Sequence, residues 1–226
     1  MPQNIITEDH IEEEALRMLK EEGYDYIYAP SIAPAPEGNG ERKKYSEVVL
    51  VDRLITALEK INPKVPKEAI EEAVKKVLRS QTQNLISDNQ QFHNLLVNGV
   101  DVEYRKDGRI KGDKVWLFDF ENIKKNEFLA VNQFTIIEND NNRRPDILIF
   151  VNGLPLVIFE LKNPADAEAT VTNAFHQIET YKLQIPSLFS IPLIKISNSV
   201  IAFFGLSALI VFHAVNLSTP EVIVPA

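Results

Sequence analysis

No cysteine occurs in the 226 residues. That excludes a disulfide framework and any cysteine-ligated zinc site, and it agrees with a reducing compartment. Residues 1–7 carry no basic stretch followed by an apolar one, so no secretory signal is expected and the cytoplasm is the expected location. Positive charge is also short: 24 Lys and Arg face 32 Asp and Glu, a net charge of -8. Nonspecific grip on nucleic acid comes from cations that displace counterions from phosphates, so this chain is not expected to hold DNA by its overall charge. Internal repeats are missing as well. What is present, 45% hydrophobic and 25% charged residues, is an ordinary globular composition that sets disorder and coiled coil aside.

The first half of the chain reads as helical. TEDHIEEEALRMLKEEGY (residues 7–24) has a capping threonine, acids behind it, apolar Ile11, Ala15, Leu16 and Leu19 at helical spacing, and a glycine stop at Gly23. Residues 24–44, rich in proline and glycine, read as an irregular loop. SEVVLVDRLITALEKINP, PKEAIEEAVKKVLRS and NQQFHNLLVNG then predict three more helices. From about residue 98 the pattern changes to short runs that read as strands: VDVEYR, a KDGR turn at 106–109, VWLFDF, and EFLAVNQFTII, followed by a loop ENDNNRR. After Pro164, ADAEATVTNAFHQIETYKLQI predicts a helix with Ala165, Ala169, Val171, Ala174, Phe175, Ile178 and Tyr181 as its buried stripe. Helices, then strands, then a helix on the sheet predict a mixed α/β protein: a helical N-terminal part at 1–97, a core at 98–190, and an apolar tail at 191–226.

The segment RRPDILIFVNGLPLVIFELKNP (residues 143–164) holds two runs suited to burial, with Asp146, Glu160 and Lys162 at their ends. Asn152-Gly153 between the runs is a strong hairpin turn signal. Residues opposite each other on paired strands face the same way. A two-residue loop would pair Asp146 with Phe159 and turn Glu160 away, whereas an odd-length loop, or a bulge, sets Asp146 opposite Glu160. Glu160 and Lys162 share a face by alternation. Two facing carboxylates near a sheet core are costly unless a cation lies between them, and Mg²⁺ takes such oxygen ligands together with waters and phosphates. That chemistry suits phosphodiester hydrolysis, with a lysine to stabilise developing charge. The competing reading makes Asp146 a cap at the strand start, and Glu160 and Lys162 merely solvated charges at the sheet end.

The same stretch resembles the PD-(D/E)xK nuclease motif, in the version found in the restriction (R) subunit of type I restriction-modification enzymes. RKKYSEVVLVDRL, INPKVP, NLLVNGVDVEY, FDFENIKKNEFLAVNQF and YKLQIPSLF resemble that family's amino-terminal region in order, so the resemblance covers roughly residues 5–189. It implies a restriction-endonuclease-like sheet flanked by helices, and a Mg²⁺-dependent endonuclease that cuts double-stranded DNA. By the same resemblance Asp146 and Glu160 are metal ligands with the Leu161 carbonyl as a further one, and Lys162 is the catalytic lysine. Gln177 and Tyr181 in HQIETY match the QxxxY motif that bears on DNA or metal positioning; their i,i+4 spacing puts both on one helix face. Glu12 is a weaker candidate for a place beside the metal, its other reading being a solvated acid in an EEE run. Arg143 and Arg144, next to the proposed site, are the expected DNA contacts. His93, His176 and Trp116 read as structural.

The family's complete subunit continues into an ATP-driven motor, but no G-x-x-x-x-G-K-[ST] phosphate loop occurs here. ATP is therefore expected to serve only the full-length subunit, and the modification and specificity subunits are the expected partners. The tail has no formal charge between Lys195 and Glu221. It reads as buried strands completing the sheet, as a product of frame change, or, least favoured, as a membrane segment, which its serines, Asn198 and Gly205 argue against. Three functions stay open: the R-subunit endonuclease domain, a non-cutting fragment used for assembly or DNA contact, and a freestanding repair-type nuclease.

Overall fold

The computed structural model describes residues 7–79, 85–161, 171–191 and 194–197. They form a mixed α/β fold around a five-stranded sheet of order β1-β4-β7-β8-β9, an architecture consistent with the restriction-endonuclease-like expectation. The strands are β1 (Asp25–Tyr28), β4 (Phe128–Asn132), β7 (Ile147–Val151), β8 (Leu154–Glu160) and β9 (Ile194–Ser197). β7 runs antiparallel to its neighbours β4 and β8, while β1 and β9 are parallel to β4 and β8 at the two edges. Every residue of β7 and β8 is buried. A strand covered on both faces needs an uninterrupted apolar run rather than alternation, and ILIFV and LPLVIF supply it.

Helix α1 (Glu8–Glu21) starts where expected: the Thr7 hydroxyl accepts from the His10 amide, with His10 completing the capping box where Glu or Gln is usual. Its buried face is Ala15, Leu16 and Leu19. Helices α2 (Val51–Ile61) and α3 (Lys67–Leu78) bury Leu54, Leu58, Ile70 and Ala73 completely. Truncating either leucine to alanine would cost about 2–5 kcal/mol in a core packed this closely. Asn62 stops α2 and fastens its end to the next layer: Nδ2 donates to the Leu58 and Trp116 carbonyls, and Oδ1 accepts from the Trp116 amide. Helix α4 (Leu85–Asn98) leads into a separate two-stranded ribbon, β2 (Val100–Lys106) and β3 (Arg109–Val115).

Several sequence expectations are corrected. Asp25–Tyr28, expected inside an irregular loop, is the edge strand β1. Residues 46–50 are not helical; Val48, Val49 and Leu50 are buried in an irregular link whose Leu50 amide donates to Gly153 O. The strand expected at VWLFDF lies earlier, on RIKGDKV, because Asp107 and Gly108 (φ 52° and 75°) make a two-residue turn and the return strand must start directly after it. EFLAVNQFTII is broken at Gln133, whose φ of 58° ends β4. ENDNNRR is no simple loop: Asn139 and Asp140, both at positive φ, join β5 (Ile136–Glu138) to β6 (Asn141–Arg143). In helix α5 (Val171–Gln184) Ile178 and Tyr181 are buried as expected, but Phe175 is exposed; Ala165 and Ala169 lie outside the described residues. A short helix α6 (Pro186–Phe189) precedes β9. Of the tail, Ile194–Ser197 adds a strand to the sheet, and residues 198–226 lie outside the described residues. Among the described residues no helix is long and apolar enough to cross a membrane.

Candidate active site

The site is built by the β7–β8 hairpin. Asn152 and Gly153 stand at φ 53° and 79°, the two left-handed positions of a two-residue type I′ turn. Next to the turn Val151 faces Leu154 and Phe150 faces Pro155, but further along Ile149 faces Val157. Leu156 is the extra residue of a β-bulge. Pro155 has no amide hydrogen to give the ladder, and bulges are where an internal strand accommodates proline. The bulge changes the parity of the pairing: Ile147 faces Phe159, so the next positions outward, Asp146 and Glu160, stand opposite each other. The turn has even length, and the odd count demanded by the sequence comes from the bulge.

At that end of the hairpin Asp146 is half-buried, and its Oδ2 accepts from the Leu161 amide at 2.6 Å. Glu160 is fully buried at 0% exposure, which removes the expectation of a merely solvated charge for this residue. Tyr181, also buried, comes from α5. Its hydroxyl accepts from Gln177 Nε2 at 2.9 Å and lies within reach of the Glu160 carboxylate. Burial first, then the negative charge of Glu160, pushes the phenol well above its ordinary range. The QxxxY pair and the two carboxylates are therefore one neighbourhood, assembled from a helix and a hairpin. Lys162 lies outside the described residues.

Four polar residues join this end of the sheet without any spacing signal. The Gln133 amide, at the left-handed break after β4, donates to Asp146 O at 3.1 Å. The Gln133 and Asn132 side-chain amides donate to the two oxygens of Glu12, at 2.7 and 2.6 Å. Tyr26 in turn donates to Asn132 Oδ1 at 3.0 Å. Glu12, expected as either a weak site candidate or a solvated acid, is half-buried with both oxygens bonded, one strand away from Asp146. Only the chain fold brings α1 to the end of β4; nothing in the EEE run itself marks Glu12. Of the two arginines, Arg143 donates through Nε to Gln184 Oε1 on α5, and Arg144 is exposed. His93 and His176 have no metal-ligating cluster around them among the described residues.

The donor set suits a hard divalent cation. It consists of two carboxylates from opposed strand positions, one of them fully buried, with the Leu161 backbone beside them. An ionised carboxylate with no exposure is costly unless donors or a cation compensate it. Two carboxylates, with remaining positions left for water and phosphate oxygen, is the usual ligation of Mg²⁺.

Residues 5–207 match the family described as the type I restriction enzyme R protein N terminus. The chain is 41% identical over 203 residues to the type I restriction enzyme HindI endonuclease subunit of Haemophilus influenzae, covering 89% of this chain and 19% of that protein. To the putative type I restriction enzyme MjaIXP endonuclease subunit of Methanocaldococcus jannaschii it is 37% identical over 188 residues, 81% of this chain and 18% of that one. The chain thus spans about a fifth of the length of these relatives. With the family's sequence pattern running through the hairpin, the helices before it and the helix after it, this chain belongs to the family of type I restriction enzyme R protein N termini.

Proposed function

We propose that this chain is the Mg²⁺-dependent endonuclease part of a type I restriction R subunit, hydrolysing phosphodiester bonds of double-stranded DNA. The observation that carries the proposal is the bulge at Leu156, which sets Asp146 opposite Glu160 at a buried sheet end beside Tyr181. Asp146, Glu160 and the Leu161 carbonyl would hold the cation. When bound, it supplies Lewis-acid polarisation of a phosphate oxygen and a lowered pKa for water. The Leu161 amide fixes one Asp146 oxygen and so orients the other. Gln177 sets the Tyr181 hydroxyl, and Tyr181 in turn orients Glu160; outer partners of this kind typically change metal affinity or activity by roughly 10–100-fold. Lys162 would neutralise charge developing on the phosphate, and Arg143 and Arg144 would contact the DNA backbone. In this reading residues 1–97 pack on a nuclease core at 98–190, recognition belongs to the modification and specificity subunits, ATP is used only by the full-length subunit, and the assembly works in the cytoplasm.

The test is Mg²⁺-dependent nicking of duplex plasmid by the purified chain. Cutting that D146A or K162A lowers by at least about 100-fold, more than the loss of an outer partner, supports a nuclease at this site, and its dependence on added modification and specificity subunits supports the R-subunit reading. Intact Mg²⁺ binding by calorimetry with no cutting, alone or with the modification and specificity subunits added, would instead make the chain a non-cutting assembly or DNA-contact module. Cutting that never depends on those subunits would favour a freestanding nuclease.

A further inference from the structure

On a chain of net charge -8, the tip of the β2–β3 ribbon is an exception. Residues 105–111 carry Arg105, Lys106, Arg109 and Lys111 against Asp107 alone. The ribbon is anchored by its proximal half, where Val100, Val102 and Val115 are buried and Tyr104 packs against the core; residues 105–112 are all exposed. Strand alternation sorts the tip into two faces. One continues the buried face outward through Tyr104 and Lys111, which face each other, to Lys106 and Arg109, which also face each other. The second face bears Arg105 opposite Ile110, and Ile110 is 71% exposed.

The placement of the cations is the informative part. Lys111 is neutralised within the ribbon by Asp113 at 2.7 Å, and its Nζ donates to the Tyr104 hydroxyl. Lys114 is paired with Asp101 at the base. Among the described residues Arg105, Lys106 and Arg109 have no ion-pair partner. Like charges directly opposite each other destabilise a strand pair, so the Lys106–Arg109 pair costs the ribbon stability that no ion pair among the described residues returns. A polyanion laid across the tip would return it. A two-stranded ribbon is also of a width that enters the major groove of duplex DNA.

We propose that the distal half of this ribbon is a second DNA contact, in which Lys106 and Arg109, flanked by Arg105, engage backbone phosphates of the duplex. The choice of duplex DNA as the polyanion rests on the nuclease reading. The Leu117 carbonyl, two residues past β3, accepts from Asn152 Nδ2, so the ribbon springs from the turn end of β7–β8. Asp146 and Glu160 lie at the other end of those strands, about 17 Å away for five residues. The contact is therefore separate from the site and serves binding, not chemistry.

The experiment measures anisotropy of a labelled 30-base-pair duplex with the full chain in EDTA, across a salt series, so cutting plays no part. K106E/R109E is compared with K60E/K64E, which changes net charge equally at two exposed lysines elsewhere. Expected is an affinity loss of about tenfold or more at low salt for the ribbon variant, with the log–log salt slope reduced by about two, one per phosphate contact. K106E alone places opposite charges across the turn, so its Tm should equal or exceed the parent's while DNA affinity falls. An affinity loss no larger than that of the control, a loss seen only where Tm also drops, or a parent chain that does not bind the duplex even at low salt would each overturn the proposal. Unchanged DNA affinity with weakened assembly onto the modification and specificity subunits would assign the face to a protein partner. If D146A still cuts, the nuclease reading fails while the ribbon result stands on its own.

Discussion

Replacing Gly153 with alanine tests whether the turn that sets the site's register is held by its own conformation or by what it touches. At φ 79° an L-residue with a Cβ pays about 1–2 kcal/mol for the left-handed conformation. The added Cβ would also fall 2.5 Å from Leu50 O and 2.8 Å from Leu54 N. Both are backbone atoms at the start of α2, where Leu54 and Leu58 are fully buried. Relieving the overlap means displacing a packed helix, and overpacking of this kind costs about 1–3 kcal/mol. G153A should therefore lose about 2–5 kcal/mol. Two glycines calibrate the parts. Gly23 has φ 92° with nothing within 4 Å, so G23A should lose only the conformational portion, about 1–2 kcal/mol. Gly112 has neither constraint, so G112A should be neutral or gain up to about 1 kcal/mol from the stiffer unfolded chain. Urea unfolding reads all three: with a slope near 2 kcal/mol/M, G153A should move the midpoint down by roughly 1–2.5 M. A midpoint for G153A equal to that of G23A would refute the claim that the turn is wedged against α2. Nicking activity per folded molecule adds a second reading. If α2 yields, activity is kept; if the turn is rebuilt and the pairing slips by one residue, Glu160 leaves the face of Asp146 and activity is lost.

Arg42 is 2% exposed, donates to the carbonyls of Glu47, Thr135 and Tyr45 at 3.0, 2.8 and 2.7 Å, and sits 3.8 Å from the Phe134 ring centroid; R42M should cost about 3–5 kcal/mol by leaving buried acceptors unmet, and R42K should recover little because one ammonium cannot span three carbonyls, both checked by chemical denaturation. Lys125 above all, then the Asn122 amide, holds the Asp119 carboxyl below its ordinary value. A depressed folded value gives stability that is present above the unfolded pKa and lost as pH falls through the folded one, so D119N should cost about 1 kcal/mol at pH 7 and the gap to the parent should close on acidification below about pH 4, read from thermal melts across pH. Glu12 accepts from two side-chain amides, so E12Q sets a donor against a donor and should lower stability by about 1–3 kcal/mol; an unchanged Tm would show that these bonds are replaced by water at no cost.

What was legible in the sequence followed from local rules. Thr7 and Gly23 bracket α1, and the stripes of α2 and α3 are apolar at helical spacing. The two hairpin strands announce burial on both faces by unbroken apolar runs. The failures came where polar residues carry the backbone. β3 is RIKGDKV, four of whose seven residues are charged, and it exists because the Asp107-Gly108 turn and β2 pair it, not because it hides anything. Gln133 takes a left-handed conformation that glutamine does not advertise, and Asn139-Asp140 takes the left-handed turn that these residues favour but that no flanking apolar run marked as a hairpin. Glu12, Asn132 and Gln133 meet only in three dimensions, since 120 and 121 residues separate the partners.

The site itself depended on a parity argument that sequence could pose but not finish. Asn152-Gly153 specifies an even turn, and even turns put Asp146 and Glu160 on opposite faces. One residue therefore had to be absorbed elsewhere in the hairpin, and the residue of the two runs that marks a bulge is Pro155, second in β8, because proline inside an internal strand is found at bulges. The bulge beside it does more than accommodate the proline. It turns the outer end of β8 over, brings Glu160 round to Asp146 and Tyr181, and leaves Leu156 buried as the unpaired residue. Substituting Pro155 with valine removes the residue that the bulge accommodates. If the pairing then becomes regular, Phe159 faces Asp146 in place of Glu160 and Mg²⁺ binding measured by calorimetry is lost while the buried apolar runs stay paired, because the anchors of Asn152 and Gly153 keep the even turn; Mg²⁺ binding that survives in P155V would refute the proline as what fixes the bulge.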